Sequence, residues 1–201
     1  MTSIRHNRSD EDTILDAARD CILAVGVRRT TMTDVARRAG VSRMTLYRRG
    51  WTDVRALVGD LMTREWGTAA LGSAAEQADP SRPVREQLVE GLLAGVRVFR
   101  GHPLLHKILD VDPELLLPYL LDRRGASQNL LLDFLADALT RGHADGSVRR
   151  GHVVRQSRTL LLIVQSFALS LQLMTDPDDP ELSTDAFYDD LRSILERTLT
   201  P

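Results

Sequence analysis

The sequence predicts an all-α chain of nine to ten helices, with a small three-helix domain over residues 1–52 and a larger helical domain over 53–201. Apolar residues recur at steps of three and four almost throughout, and no stretch alternates with the period of two that marks a half-buried strand. Helix stop and start signals punctuate this pattern: glycines after apolar stripes, hydroxyl and acidic residues before them, prolines between. Charge divides the chain at nearly the same place. Residues 1–58 carry 11 Arg against 7 Asp and Glu, whereas 59–201 carry 15 Lys and Arg against 21 Asp and Glu. A basic head on an acidic body points to a polyanionic partner for the head alone, with a solvated charged face as the alternative.

The first helix is expected over about 10–25. Ile14, Ala17, Ala18, Cys21, Ile22 and Val25 form one stripe, Gly26 supplies its C-cap, and Asp10, Glu11 and Asp12 sit in its first turn beside the positive end of the dipole. Cys21 lies on that stripe and reads as core; as the one cysteine it excludes an internal disulfide framework. Thr31-Met32-Thr33-Asp34 has the form of a capping box with Asp in place of Glu, and opens a short helix that carries Val35, Ala36 and Ala39 inward to Gly40. Ser42 caps a third helix to about Arg48 or Arg49. Between the two, Ala39-Gly40-Val41-Ser42 makes a tight turn with Val41 filling the angle, which gives a helix-turn-helix.

A fourth helix begins near Thr52 or Asp53 and runs to the mid-70s with Leu57, Val58, Leu61, Met62 and Trp66 on its apolar side. Gly72 to Asp79, then Pro80 and Pro83, mark its end. The fifth carries Leu88, Leu92, Val96 and Phe99 and stops at Gly101. Pro103, Pro113 and Pro118 divide 102–122 into short helical pieces. Long helices are expected at about 125–144 and 152–174, and a last one at about 184–199 after a polar, proline-broken loop. Leu160, Val164, Phe167, Leu171 and Met174 alternate by four and three, the seam of a helix packed along a near-parallel or antiparallel partner.

The span from Ile14 to about Leu57 resembles the DNA-binding domain of the TetR family of bacterial repressors. The string ILDAARDCILAVGVRRTTMTDVARRAGVSRMTLYRR contains the helix-one stripe, Gly26, a threonine-capped second helix, the Ala-Gly-Val-Ser turn and a recognition helix ending in Tyr47. The rest of the chain resembles the family only in being helical and of suitable length. The resemblance implies a homodimeric, ligand-responsive regulator, by family habit a repressor, that binds a palindromic double-stranded operator and is released by a small-molecule effector. It also implies that Thr33 bonds phosphate.

The residues themselves agree with that assignment. Val41 and Leu46 are spaced to anchor a recognition helix whose first turn presents Arg43, Met44 and Thr45. Arg43 suits bidentate donation to guanine, worth roughly 1–3 kcal/mol of discrimination, and Met44 and Thr45 suit a thymine methyl. Tyr47, Arg48 and Arg49 then fall on the phosphate side. The pattern departs from the family after this helix: Gly50 reads as an insertion before Trp51, and Val54 stands where a phosphate-touching lysine is usual. Trp51 reads as a structural wedge.

In the larger domain, Trp66, Phe99, His102, His106, Leu109 and Phe134 are candidate effector-pocket residues, apolar walls with isolated polar groups that suit a hydrophobic or amphipathic molecule. The family's coupling route runs through the fourth helix, which joins head and body. The Leu160–Met174 seam and the last helix are the expected dimer interface, with the body's own core as the alternative partner of that seam. His102, His106 and Asp110 share one face only if their helix is continuous, and three potential ligands without a fourth do not make a convincing zinc site, so no metal or cofactor is expected. Two alternatives stand beside the regulator: a metal-dependent helical-bundle enzyme using those three residues, and an architectural DNA binder without an effector. With no apolar run of membrane length and no apolar N-terminal stretch, the expected location is the cytoplasm.

Overall fold

The computed structural model describes residues 2–77 and 79–201, with the side chains of 2–9, 70, 71 and 73–75 excepted. Ten α-helices account for the described residues: α1 (Thr2–Val25), α2 (Met32–Arg38), α3 (Arg43–Arg48), α4 (Val54–Glu76), α5 (Val84–Arg100), α6 (Pro103–Val111), α7 (Leu117–Leu121), α8 (Ala126–Ala144), α9 (Val153–Ser170) and α10 (Thr184–Leu199). No strand occurs among them. Two compact units result. The first takes the chain to Glu65 together with His102–Ala126, and the second takes Trp66–Gly101 with Ser127–Pro201.

Two helix boundaries differ from the sequence expectation. Helix α1 starts at Thr2, not near residue 10, so Asp10, Glu11 and Asp12 are not first-turn residues. They serve as ion-pair partners instead: Asp10 and Glu11 face Arg49 at 3.4 and 4.0 Å, and Asp12 faces Arg64 at 3.6 Å. Helix α9 stops at Ser170 and tightens into a 3-10 turn over Leu171–Leu173. The tighter turn keeps Leu171 in the core and leaves Leu173 and Met174 at the surface.

The core of the first unit is built by the expected stripes. Ile14, Ala17, Ala18 and Ile22 of α1 are buried with Val35 and Ala36 of α2, Leu46 of α3, and Leu57, Val58, Leu61 and Met62 of α4. Leu15 joins this stripe and Val25 leaves it, being 37% exposed. Cys21 is half-buried, and burial pushes its thiol pKa up, which keeps it in the unreactive protonated form. Helix α6 adds Leu104, Leu105 and Ile108.

The far end of α6 docks on the α1–α2 turn through Asp112, whose side chain is fully buried. Its Oδ2 accepts the Val27 N–H at 2.7 Å, and Oδ1 lies 3.5 Å from Arg28 Nε. Gly26 has φ +84°, and a Cβ added there would meet Val111 Cγ1 at 2.8 Å and Asp112 Oδ2 at 3.0 Å. The glycine thus serves both a left-handed cap and a close approach of chain. At its start, α6 has Pro103 at the first position, where a missing N–H costs nothing, and His102 as N-cap accepting from Leu104 N at 3.3 Å.

In the second unit, α5, α8, α9 and α10 enclose one core containing Leu88, Leu92, Leu93, Leu135, Leu139, Leu191 and Leu195. Leu160, Val164 and Leu171 belong to that core at 0, 5 and 3% exposure, and Phe167 packs against it. Leu160, Val164 and Leu171 therefore face this chain's own core, where α9 packs on α5, which is the other partner the seam allows beside a second chain. Of the five seam residues only Met174 is exposed. A bidentate pair from Arg192 to Glu90 ties α10 to α5 and holds the Glu90 carboxyl below its usual range.

Replacing Gly26 by alanine combines a left-handed backbone, disfavoured by roughly 1–2 kcal/mol, with a collision at Val111. At Gly50, φ is +94° and a Cβ meets nothing within 4 Å. Gly26→Ala is accordingly expected to lower the urea midpoint of the first unit distinctly more than Gly50→Ala.

Candidate nucleic-acid interface

Two short helices and the turn between them are held by side-chain caps at their starts and paired backbone bonds at their ends. Thr31 Oγ1 accepts the Asp34 N–H at 3.1 Å and donates to the Asp34 carboxylate at 2.6 Å, a shortened capping box in which the shorter acid bonds the hydroxyl itself. Ser42 Oγ accepts the Thr45 N–H at 3.2 Å and begins α3. Helix α2 ends with Gly40 N donating to Arg37 O and Val41 N to Ala36 O. Helix α3 ends the same way, Gly50 N donating to Tyr47 O and Trp51 N to Leu46 O. Both sets have the Schellman pattern.

This resolves the departure seen in the sequence. Gly50 is the left-handed residue that closes α3, and Trp51, directly after it, is 2% exposed and donates its Nε1–H to Asp60 at 2.7 Å. Trp51 is a structural wedge whose polar edge is satisfied. Asp53 then caps α4, accepting the Ala56 N–H at 2.8 Å.

Helix α3 buries Leu46 completely and turns its other face outward. Arg43 is exposed, Met44 is 58% exposed, Tyr47 is 37% exposed and Arg48 is exposed. Arg43 Nη2 donates to the Tyr47 hydroxyl at 2.6 Å, with its guanidinium carbon 5.6 Å from the ring centroid. Thr45 is half-buried and its hydroxyl lies 3.0 Å from Ser42 Oγ, so the cap engages it. Thr33 is exposed in the first turn of α2. Arg49 differs from expectation: its side chain is 18% exposed and turned toward Asp10 and Glu11.

Most other arginines of the basic head are also engaged. Arg37 pairs with Asp34, Arg38 with Asp20, and Arg28 with Glu114 and Asp112. Among the described residues of 26–58, the arginines without a carboxylate partner are Arg29, Arg43, Arg48 and Arg55, and two of these, Arg43 and Arg48, lie on α3. The Arg43–Tyr47 contact escaped sequence reasoning, although the i, i+4 spacing announced it.

Of the six candidate pocket residues, the structure joins Trp66 and Phe99, edge to face with centroids 5.0 Å apart. Phe134 packs partly against the core of the second unit. His102 lies in the first unit, where it caps α6 and its Nε2 sits 3.4 Å from Glu65. His106 and Leu109 are exposed on α6, whose opposite face buries Leu104, Leu105 and Ile108. As the N-cap, His102 stands outside the helix that carries His106 and Asp110, and among the described residues no three His, Cys, Asp or Glu side chains gather as a metal cluster.

Residues 14–49 match the model of a family described as bacterial regulatory proteins, tetR family. Over 175 residues the chain is 35% identical to an uncharacterized HTH-type transcriptional regulator of Mycobacterium bovis, covering 87% of this chain and 88% of that one. Among solved structures, the transcriptional repressor QsdR of R. erythropolis, from the TetR family, gives a TM-score of 0.67 at 18% identity, covering 96% of this chain and 97% of that one. The regulator FadR from Bacillus subtilis, in complex with stearoyl-CoA, gives 0.61 at 16%, covering 93 and 98%. At such identities these two structures speak to the fold.

Each phosphate contact adds about 0.9 to the slope of log affinity against log salt. Arg48→Ala is expected to reduce that slope by about this much on duplex DNA. Arg49→Ala, its charge already engaged by α1, is expected to change the slope less.

Proposed function

The chain belongs to the TetR family of bacterial transcriptional regulators, and from that premise we propose that it is a ligand-responsive repressor that binds a palindromic operator as a homodimer. The observation that carries this reading is the capped pair α2 and α3, which leaves Arg43, Met44, Tyr47 and Arg48 exposed on one short helix. In this reading residues 1–52 are the DNA-reading domain and 53–201 the effector-binding and dimerisation domain. Arg43 and Met44 read base edges, with the Thr45 methyl beside them. Thr33, Tyr47 and Arg48 contact phosphate, and Arg49 supports α3 from behind. The two α3 helices of a dimer must lie about 34–36 Å apart, one turn of DNA, to occupy both half-sites.

Dimerisation is assigned to the outer faces of α9 and α10, where Leu162 is 69%, Val154 49% and Ile194 40% exposed. Three large apolar side chains on two helices that both pack on α5 give a second copy surface to cover. Effector binding is assigned to the surroundings of Trp66, Phe99 and Phe134. The Trp66 Nε1 is buried without a hydrogen-bond partner among the described residues. An unsatisfied buried donor beside aromatic rings favours a mostly apolar molecule that carries one acceptor. The relatives and the fold are those of transcriptional regulators, not enzymes. Among the described residues no helix is long and apolar enough to cross a membrane, and the proposed location is the cytoplasm.

The test is selection of duplexes from a random pool by the full-length protein, then fluorescence anisotropy on the recovered and scrambled sequences at about 150 mM salt. Specific binding is expected to exceed non-specific by about 10³-fold or more, and Arg43→Ala to close most of that gap. A selection that recovers no preferred sequence contradicts the reading.

A further inference from the structure

Arg43 can discriminate a base only if its guanidinium is presented as a fork, and a free arginine carries about 2 kcal/mol of rotamer entropy that must be lost to do so. In this structure the side chain is already held. Arg43 opens α3 and Tyr47 stands one turn later on the same face. Arg43 Nη2 donates to the Tyr47 hydroxyl at 2.6 Å, and the guanidinium carbon lies 5.6 Å from the ring centroid. No carboxylate pairs with Arg43 among the described residues, whereas Arg28, Arg37, Arg38 and Arg49 each have one. The hydroxyl is therefore the polar group that fixes this guanidinium.

We infer that Tyr47 is a positioning residue that holds Arg43 in its base-reading geometry, so that sequence discrimination depends on the tyrosine hydroxyl as well as on the arginine. The chemistry permits both jobs at once. A guanidinium has five N–H donors, and the bond to Tyr47 uses one, leaving an edge for two parallel bonds to guanine O6 and N7. The hydroxyl accepts from Arg43 with a lone pair, so its own proton stays available to a phosphate oxygen. A tyrosine placed on the phosphate side thereby joins the backbone contact to the base contact, and seating one orients the other.

This inference rests on α3 being the DNA-reading helix. The experiment uses the full-length protein and the duplex it selects from a random pool, with a scrambled duplex beside it. Tyr47→Phe keeps the ring and its stacking and removes only the hydroxyl of a side chain that is 37% exposed. Ordering one rotamer-rich side chain costs about 0.5–1.5 kcal/mol, so the ratio of selected to scrambled affinity is expected to fall about three- to tenfold. In an Arg43→Ala background the same change is expected to leave the ratio where Arg43→Ala put it. Equal losses on both duplexes with a flatter salt slope would make Tyr47 a phosphate contact alone and overturn the inference, as would an unchanged ratio. Either result, with Arg43→Ala still losing discrimination, leaves the reading of α3 standing. Wild-type protein that prefers no sequence removes both.

Discussion

A carboxylate with no exposure to solvent must find its compensation inside the protein, and Asp112 finds part of it in the turn between α1 and α2: Oδ2 accepts the Val27 N–H, while Oδ1 has no hydrogen-bond partner among the described residues and only the approach of Arg28 at 3.5 Å. Leaving one buried polar group unpaired costs about 1–3 kcal/mol, more for a charged one. The bond to Val27 N–H, with Arg28 beside it, therefore fixes where the chain leaves α1. Thr30 tightens the same turn by donating to Gly26 O at 2.8 Å. From that point the path to α2 is five residues long, so this docking restrains where α2 begins. Helix α6 is tied to the same surroundings at its other end, where His102 faces Glu65 and Arg19 of α1 faces Glu65 at 3.5 Å. Helix α6 is thus fastened at both ends within the first unit.

The electrostatics of that domain are more economical than its composition implies. Eight arginines lie within 26–58. Four are paired with acids, and Arg29 donates to the Val25 carbonyl at 2.9 Å. Of these, Arg38 ties α2 to α1, Arg49 ties the end of α3 to α1, and Arg28 ties the α1–α2 turn to the end of α6. Surface pairs of this kind contribute at most about 1 kcal/mol each, so their larger effect is to decide which cations remain to meet a polyanion. Of the three that remain, Arg43 and Arg48 lie on α3 and Arg55 on α4.

What could be read from the sequence was whatever is local. Helix starts at Thr31, Ser42 and Asp53 follow from short side chains that accept N–H groups within three residues, and the apolar stripes of α1, α4 and α5 follow from a 3.6-residue period. Nothing local distinguishes Asp112 from any other acid before a proline; its meaning comes from a residue 85 positions away. The Leu160–Met174 seam was legible as a packed face, but periodicity cannot say whether the partner is the same chain or another. Likewise Arg49 looked free because Asp10 is 39 residues distant. Gly50 looked like an insertion when aligned by residue type and reads as a helix stop once the hydrogen bonds are known.

The central claim is that residues 31–49 meet DNA. Backbone hydrogen exchange, followed with and without the selected duplex, addresses it directly, because bound DNA slows exchange where it covers or rigidifies the chain. The account predicts added protection concentrated in Thr31–Arg49, with 152–199 largely unchanged. Protection centred on the second unit, with α2 and α3 unaffected, would contradict it.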